Sequence, residues 1–255
     1  MYVIIPARYA STRLPGKPLL DIGGKPLLQH VYECALQSGA QKIIVATDDA
    51  RIDHAVKGFG GTACMTSSRH QSGTDRIAEV IRMFNLKPEE IVVNLQGDEP
   101  LMPPGLIKQT AETLIAHPAA AMATACHAIT DYETICDPNV TKVVCDQDGY
   151  ALYFSHAPIP WPRDIMQAGT APKPDQPLHA LRHIGLYAYR AGFVSRYAAW
   201  PPCPLEQTEA LEQLRALWYG ERIAVCQAQE APGPGVDTAA DLARVREIFQ
   251  RKGAR

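Results

Sequence analysis

Apolar positions along the chain fall into short runs that alternate with helical stripes. Tyr2 to Ile5 is an apolar run that stops at Pro6, and it predicts a strand opening into a loop. Pro26 to Ser38 then places Leu27, Leu28, Val31, Cys34 and Ala35 on one helical face, with Gly39 as its stop. Lys42 to Thr47 reads as a buried strand, and Asp48-Asp49 sit where they could cap a helix over Ala50 to Lys57. Thr62 to Met65 predicts a third strand, and Ile77, Val80, Ile81 and Phe84 a helix from Asp75 to Phe84. Ile91 to Leu95 is the most clearly buried strand, and helix Pro104 to Ala116 with strand Ala121 to Ala128 repeats the β/α alternation.

After residue 128 the pattern changes. Val140 to Cys145 and Tyr150 to Phe154 flank Asp146-Gln147-Asp148-Gly149, which predicts a β-hairpin. The proline-rich stretch from Pro158 to Pro177 is too long for a tight connection and reads as a lid or an oligomer-contact loop. His179 to Tyr189 is a strand, and Pro204 to Tyr219 a single helix that buries Leu205, Leu211, Leu214, Leu217 and Trp218. Glu206, Glu209, Glu212, Gln213 and Arg215 fall on its other faces, where some could face a pocket or all be solvated, the solvated reading being stronger for Glu212 and Arg215. Ile223 to Ala228 returns to the sheet, and Ala239 to Arg251 is a last helix for which Asp237 stands at the usual N-cap position. The expected fold is a doubly wound α/β domain on a mostly parallel, mixed sheet. Residues 1–128 form its first α/β half, 129–222 a β-rich insertion, and 223–255 the returning strand and final helix.

Composition narrows the function. The 255 residues are 46% hydrophobic and 20% charged, as in a soluble globular protein, and a net charge of -2 argues against nucleic acid as a partner. No apolar run approaches the roughly 18 residues that span a bilayer, and no secretory leader precedes the first strand, so a cytoplasmic protein is expected. Seven cysteines without a Cys-x-x-Cys pair read as small buried hydrophobes. There is no Walker A loop, no G-x-G-x-x-G, no H-E-x-x-H and no G-x-S-x-G, which removes the usual support for kinases, dehydrogenases, metalloproteases and hydrolases.

Three loops at strand ends carry candidate chemistry. Residues 1 to 25 hold Arg8, Arg13, Lys17 and Lys25 against Asp21 alone, a local +3. Prolines at 6, 15 and 18 stiffen this loop and Gly16 gives it a turn, so its cations suit a polyphosphate, the alternative being an ordinary solvated connection with scattered basic residues. Thr66 to Arg76 crowds polar side chains before a helix start that could hold an anion or a base edge, or be a simple capping loop. Asp98 closes the strand ending in Gln96-Gly97-Asp98-Glu99-Pro100; it is placed either to ligate Mg²⁺ beside phosphate oxygens or to cap the helix near Pro104.

In order along the chain, IPARYASTRLPGKPLLDIGGKPLLQH, HQSGTDR, VNLQGDEP, ALYFSHAPIPW, RHIGLYAYR, LEQLRALWYG and PGPGVDT resemble the 3-deoxy-manno-octulosonate cytidylyltransferase (CMP-Kdo synthetase) family over nearly the whole chain. The resemblance implies a nucleotide-diphospho-sugar transferase fold whose β-rich region serves sugar binding and dimerisation. It implies an Mg²⁺-dependent enzyme that moves CMP from CTP to the 2-hydroxyl of the sugar acid Kdo for lipopolysaccharide synthesis, and a homodimer. Arg8, Arg13 and Lys17 match the phosphate-binding positions, and Asp98 and Asp237 the magnesium ligands; Arg8, Lys17 and the two acids would be catalytic. His70, Ser72, Gly73 and Arg76 match the cytosine- and ribose-facing loop. Gln96, His183, Tyr187, Glu209 and Gln213 match positions that contact Kdo hydroxyls, and Arg163 is a candidate for its carboxylate. His156 departs from the arginine common at that position, which leaves an 8-amino Kdo or another nonulosonic acid as alternative sugars. A catalytically silent nucleotide-binding protein is a third reading, disfavoured because the cations and acids are all present.

Overall fold

The computed structural model describes residues 1–10, 14–70, 72–163 and 178–253. In β1 (Tyr2–Ala7) Val3, Ile4 and Ile5 are all fully buried, because helices cover both faces of the central strand; hence a run and not an alternation. A 3₁₀ turn (Lys17–Leu19) leads into a ribbon of β2 (Asp21–Ile22) and β3 (Lys25–Pro26), absent from the sequence expectation because two-residue strands carry no periodicity. α1 (Leu27–Gln37), β4 (Lys42–Thr47), α2 (Ala50–Gly58), β5 (Ala63–Met65), α3 (Gly73–Met83), β6 (Ile91–Asn94), α4 (Pro104–Ala116) and β7 (Ala120–Ala128) follow close to the expected places. Asp49 caps α2 by accepting from the Arg51 backbone N–H at 2.9 Å.

Next come the short α5 (Tyr132–Cys136), the hairpin β8 (Lys142–Cys145) and β9 (Ala151–Ser155), the long β10 (Leu181–Arg190) and α6 (Ala191–Tyr197). The hairpin turns on Gly149 at φ 79°, as the Asp-Gly signal predicts. α6 escaped the periodicity analysis because its sequence, Ala-Gly-Phe-Val-Ser-Arg-Tyr, is poor in helix formers; burial of Phe193, Val194 and Tyr197 holds it. The single helix expected over Pro204 to Tyr219 is two, α7 (Pro204–Glu209) and α8 (Gln213–Trp218), broken where Ala210 turns left-handed at φ 53°. Arg215, expected in solvent, is folded back by that break onto Glu206, with Nε 2.6 Å from Oε2 and side-chain exposures of 11% and 10%. β11 (Arg222–Gln227) and α9 (Ala239–Gly253) complete the chain.

The sheet order is β11-β7-β10-β6-β1-β4-β5, with the β8–β9 hairpin attached to the start of β10. β10 alone runs against the others in that path. Successive residues of β1 feed two cores: Val3 and Ile5 pack with α1, α4 and α9, while Ile4 packs with α3, α6 and α8. β7, from the first half, pairs with both β10 and β11, so all three segments of the chain share one sheet. Among the described residues no cysteine is joined in a disulfide, and no helix is long and apolar enough to cross a membrane.

Candidate active site

β1 and β6 lie side by side and β1 also pairs β4, so the strand order diverges from β1, and the loops at these carboxyl ends form a crevice. Gly97 belongs there for a steric reason: a Cβ on it would stand 2.9 Å from the carbonyl oxygen of Pro6. Opposite, Gly16 at φ 69° lies under the Tyr9 ring, and the Arg51 guanidinium covers that ring 3.3 Å from its centroid. The loop is thereby folded so that Lys17 reaches over the end of β6.

Lys17 Nζ lies 2.6 Å from Asp98 Oδ2 and 3.1 Å from Asp237 Oδ1. The two acids therefore converge on one cation, as the resemblance required. Neither caps a helix: Thr238 and Asp241 exchange hydrogen bonds at the start of α9, and Pro103 precedes α4 without a side-chain cap. The Val236 N–H donates to the Asp98 carbonyl at 2.9 Å and ties the 232–238 loop down over the strand end. Burial opposes the charge on Lys17, but Asp98 and Asp237 outweigh it and hold the ammonium above its ordinary pKa. Burial, with the same two acids adding to it, pushes neighbouring Glu99 up to about 7. No cluster of three or more His, Cys, Asp or Glu able to hold a metal occurs among the described residues. Two convergent carboxylates nevertheless suit Mg²⁺, which takes one or two of them with phosphate oxygens.

Arg8 is half-exposed at the end of β1 and has no ion pair among the described residues. Arg13 lies outside the described residues. In the 66–76 loop, His70 contacts Glu79, and the Glu79 carboxyl is held below its ordinary pKa first by the Ser67 N–H and then by His70. Ser72 forms a capping box with Asp75, at 3.1 and 3.2 Å, so its hydroxyl is engaged by α3 and the loop is a true cap. Gly73 opens α3 against Pro6. Arg76 turns inward rather than to the helix start: fully buried, it donates to Thr66 and, at 2.9 Å, to Asp48, supporting the loop from behind.

A pocket of about 250 Å³ opens beside Gln96 and takes in Gly73, Tyr187 and Gln213, four of the residues singled out by sequence. Gln213 is 4% exposed and its Nε2 has no hydrogen-bond partner, an orphaned donor in the pocket lining. His183 and Glu209 do not line this pocket. His183 binds Thr124 at 2.9 Å with its ring 5.4 Å from that of Tyr187, and burial lowers its pKa to about 3. Glu209 is spent on the end of β9, accepting from Ser155 Oγ at 2.5 Å and the His156 N–H at 3.0 Å. His156 Nδ1 donates to the Pro138 carbonyl at 2.7 Å. Arg163 is exposed at the edge of the described residues and lines no pocket described here.

The sequence profile of a family described as Cytidylyltransferase matches residues 2–223. The chain belongs to the cytidylyltransferase family. It is 59% identical over 251 residues to a 3-deoxy-manno-octulosonate cytidylyltransferase of Aeromonas hydrophila, covering 97% of this chain and 98% of that one. Proteins of the same name from Vibrio vulnificus and Pasteurella multocida are 57% and 54% identical, each with 98% of both chains covered. A solved CMP:2-keto-3-deoxy-manno-octonic acid synthetase complexed with CTP superposes with a TM-score of 0.87 at 44% identity, covering 98% of each chain. The mixed α/β sheet is thus the nucleotide-diphospho-sugar transferase fold of that structure.

The cytidylyltransferase pocket also holds residues that sequence reasoning passed over. Thr74, Asn94, Tyr189 and Tyr197 line it, as does Glu212, whose Oε2 accepts from Thr74 Oγ1 at 2.9 Å. Glu212 is exposed, as expected of a solvated helix face, and the turn at Ala210 also brings it to the pocket rim. Alternation along β10 could have flagged Tyr189, two residues beyond Tyr187, as sharing its face.

Proposed function

We propose that this cytidylyltransferase moves CMP from CTP to the anomeric 2-hydroxyl of Kdo, releasing pyrophosphate and giving CMP-Kdo for lipopolysaccharide synthesis. The observation that carries the reading is the meeting of Lys17, Asp98 and Asp237 beside a pocket with an unpartnered glutamine donor. Arg8 and Lys17, with Arg13, meet the triphosphate and offset the charge that builds on the leaving pyrophosphate. Asp98 and Asp237 are the proposed Mg²⁺ ligands; bound there, the ion supplies Lewis-acid charge and acidifies a hydroxyl. Because Ser72 is committed to its helix, the loop from His70 to Arg76 reads cytosine through backbone groups, with His70 and Arg76 holding its shape and Gly73 letting the base approach.

Gln96, Tyr187 and Gln213 receive the sugar hydroxyls. His183, kept neutral by burial, fixes the Tyr187 side of the pocket through its ring contact, and Glu209 holds the end of β9 through Ser155. Arg163 adds positive charge from the solvent side. The division at residues 128 and 222, a homodimer formed through the β-rich region, and a cytoplasmic location are part of the same proposal, supported by the resemblance to the Kdo enzymes.

The test is Mg²⁺-dependent pyrophosphate release with CTP against UTP, using Kdo, its 8-amino analogue and N-acetylneuraminic acid. Release with CTP and Kdo is expected. Release with only one of the other acids would move the sugar assignment and give His156 a role in it, and silence with all three would overturn the enzymatic reading.

A further inference from the structure

Lys142, the first residue of β8, is fully buried although its side chain carries a charge. It is paired with Arg182 of β10 on one side and with Ser155 of β9 on the other. Its ammonium gives its three protons to three backbone carbonyls, those of Val140 and His156 at 2.6 Å and that of Asp137 at 2.9 Å. Burial lowers the pKa of this group, and the carboxylates of Asp137 and Glu209 oppose that. An apolar side chain would fill the same space without the cost of burying a charge. Three carbonyl oxygens aimed at one point repel one another, however, unless a cation lies between them. The ammonium therefore decides how the loop from Asp137 to Val140 meets the end of β9.

What it fixes there continues toward the pocket beside Gln96. On one side of His156 the carbonyl is held by Lys142; on the other, the His156 N–H donates to Glu209 Oε2 at 3.0 Å. Glu209 Oε1 also takes the Ser155 hydroxyl, at 2.5 Å. The bond from His156 Nδ1 to the Pro138 carbonyl, at 2.7 Å, is a second tie between the same two segments. Glu209 ends α7, the next residue is the left-handed Ala210, and Ala210 to Gln213 line the pocket. A left-handed alanine is strained and persists only where its surroundings hold it. The Tyr197 hydroxyl holds the far side of this turn, donating to the Glu212 carbonyl at 2.9 Å. Glu209 holds the near side, through the strand end that Lys142 secures.

We propose that Lys142 is a positioning residue for the Gln213 side of the pocket. Its ammonium keeps the end of β9 where Glu209 grips it, and so sets the Ala210 turn that presents Gln213. The inference rests on the proposed function, to which it adds a residue that touches no substrate.

The test reads steady-state pyrophosphate release from CTP and Kdo by the full chain, below the melting point of each variant. Lys142→Met keeps most of the side chain and removes the charge. It should raise the KM for Kdo by at least about fivefold and change the KM for CTP by less than about twofold. Combined with Gln213→Leu, the two effects on the KM for Kdo should be less than multiplicative, because Lys142 acts through the placement of Gln213. A variant that is less stable but leaves the KM for Kdo unaltered, or that raises both KM values alike, overturns the assignment. A fully multiplicative double variant does so too. If Lys142→Met does not fold, Lys142→Gln, which retains two N–H donors, must show the same split, and its absence there is equally decisive against the inference. Absence of turnover by wild type with any sugar acid is a different failure: it overturns the functional reading, and this inference with it.

Discussion

The Lys17 ammonium lies 3.1 Å from the Asp237 carboxylate, across 220 residues of chain, and it can do so because Thr238 takes over the capping of the last helix. With Asp98 at 2.6 Å on its other side, the lysine is held between two acids that have no helix to serve. Helix capping does not account for the meeting of both acids at one lysine.

Asp98→Asn removes one of the two negative charges and keeps the shape. Its kcat should fall by at least about 100-fold, while folding, followed by circular dichroism, and CTP affinity change little. Near-normal pyrophosphate release at saturating Mg²⁺ would remove Asp98 from the proposed metal site.

Gln213 is buried with its Nε2 unpaired, and a stranded donor costs about 1–3 kcal/mol. Gln213→Leu, close to it in volume, should therefore leave the thermal midpoint equal or higher and raise the KM for the sugar acid by about tenfold. A variant that melts much earlier with unaltered KM would make Gln213 a packing residue only.

Arg215 and Glu206 bond side by side with little solvent access. Arg215→Ala leaves the Glu206 carboxylate without its partner beside α7 and should cost about 3 kcal/mol, read from urea denaturation. The double variant Glu206→Leu, Arg215→Met should recover most of that loss, because replacing both charges removes the need for pairing. Equal destabilisation in both would place the cost in lost packing.

Burial lowers the His183 imidazole from its ordinary 6.5 to about 3. The unfolded chain therefore takes up a proton that the folded one refuses, so this stability is complete above pH 6.5 and is lost as pH falls toward 3. One such group gives a slope of about 1.4 kcal/mol per pH unit within that window. Urea midpoints between pH 4.5 and 7 should fall less steeply for His183→Asn than for wild type, and parallel slopes would refute a buried neutral imidazole.

Much of the fold was legible from periodicity alone. β4 and α4 begin and end where the pattern places them, because both are set by side chains facing one or two buried surfaces. The break at Ala210 was not legible: the apolar spacing of Pro204 to Tyr219 is helical throughout, and a left-handed alanine leaves no mark in it. α6 was missed for the opposite reason, since its stability comes from neighbours and not from its own residues. At the site, the basic loop and the acid ending β6 were visible as charges at strand ends. The inward turn of Arg76 and the commitment of Ser72 to its helix were not.

What the sequence by itself determined is therefore local and additive: which runs are strands, which stripes are helices, where glycine must sit, and which loops carry charge. Family membership also lies at that level, because ordered motifs survive without any knowledge of contacts. Only the tertiary structure decided that Asp98 and Asp237 share Lys17 and that Gln213 lines a pocket with a spare donor. Those facts depend on which faces of distant elements close on one another. The free energy that selects them comes from the burial of whole surfaces, and no single segment carries a record of it.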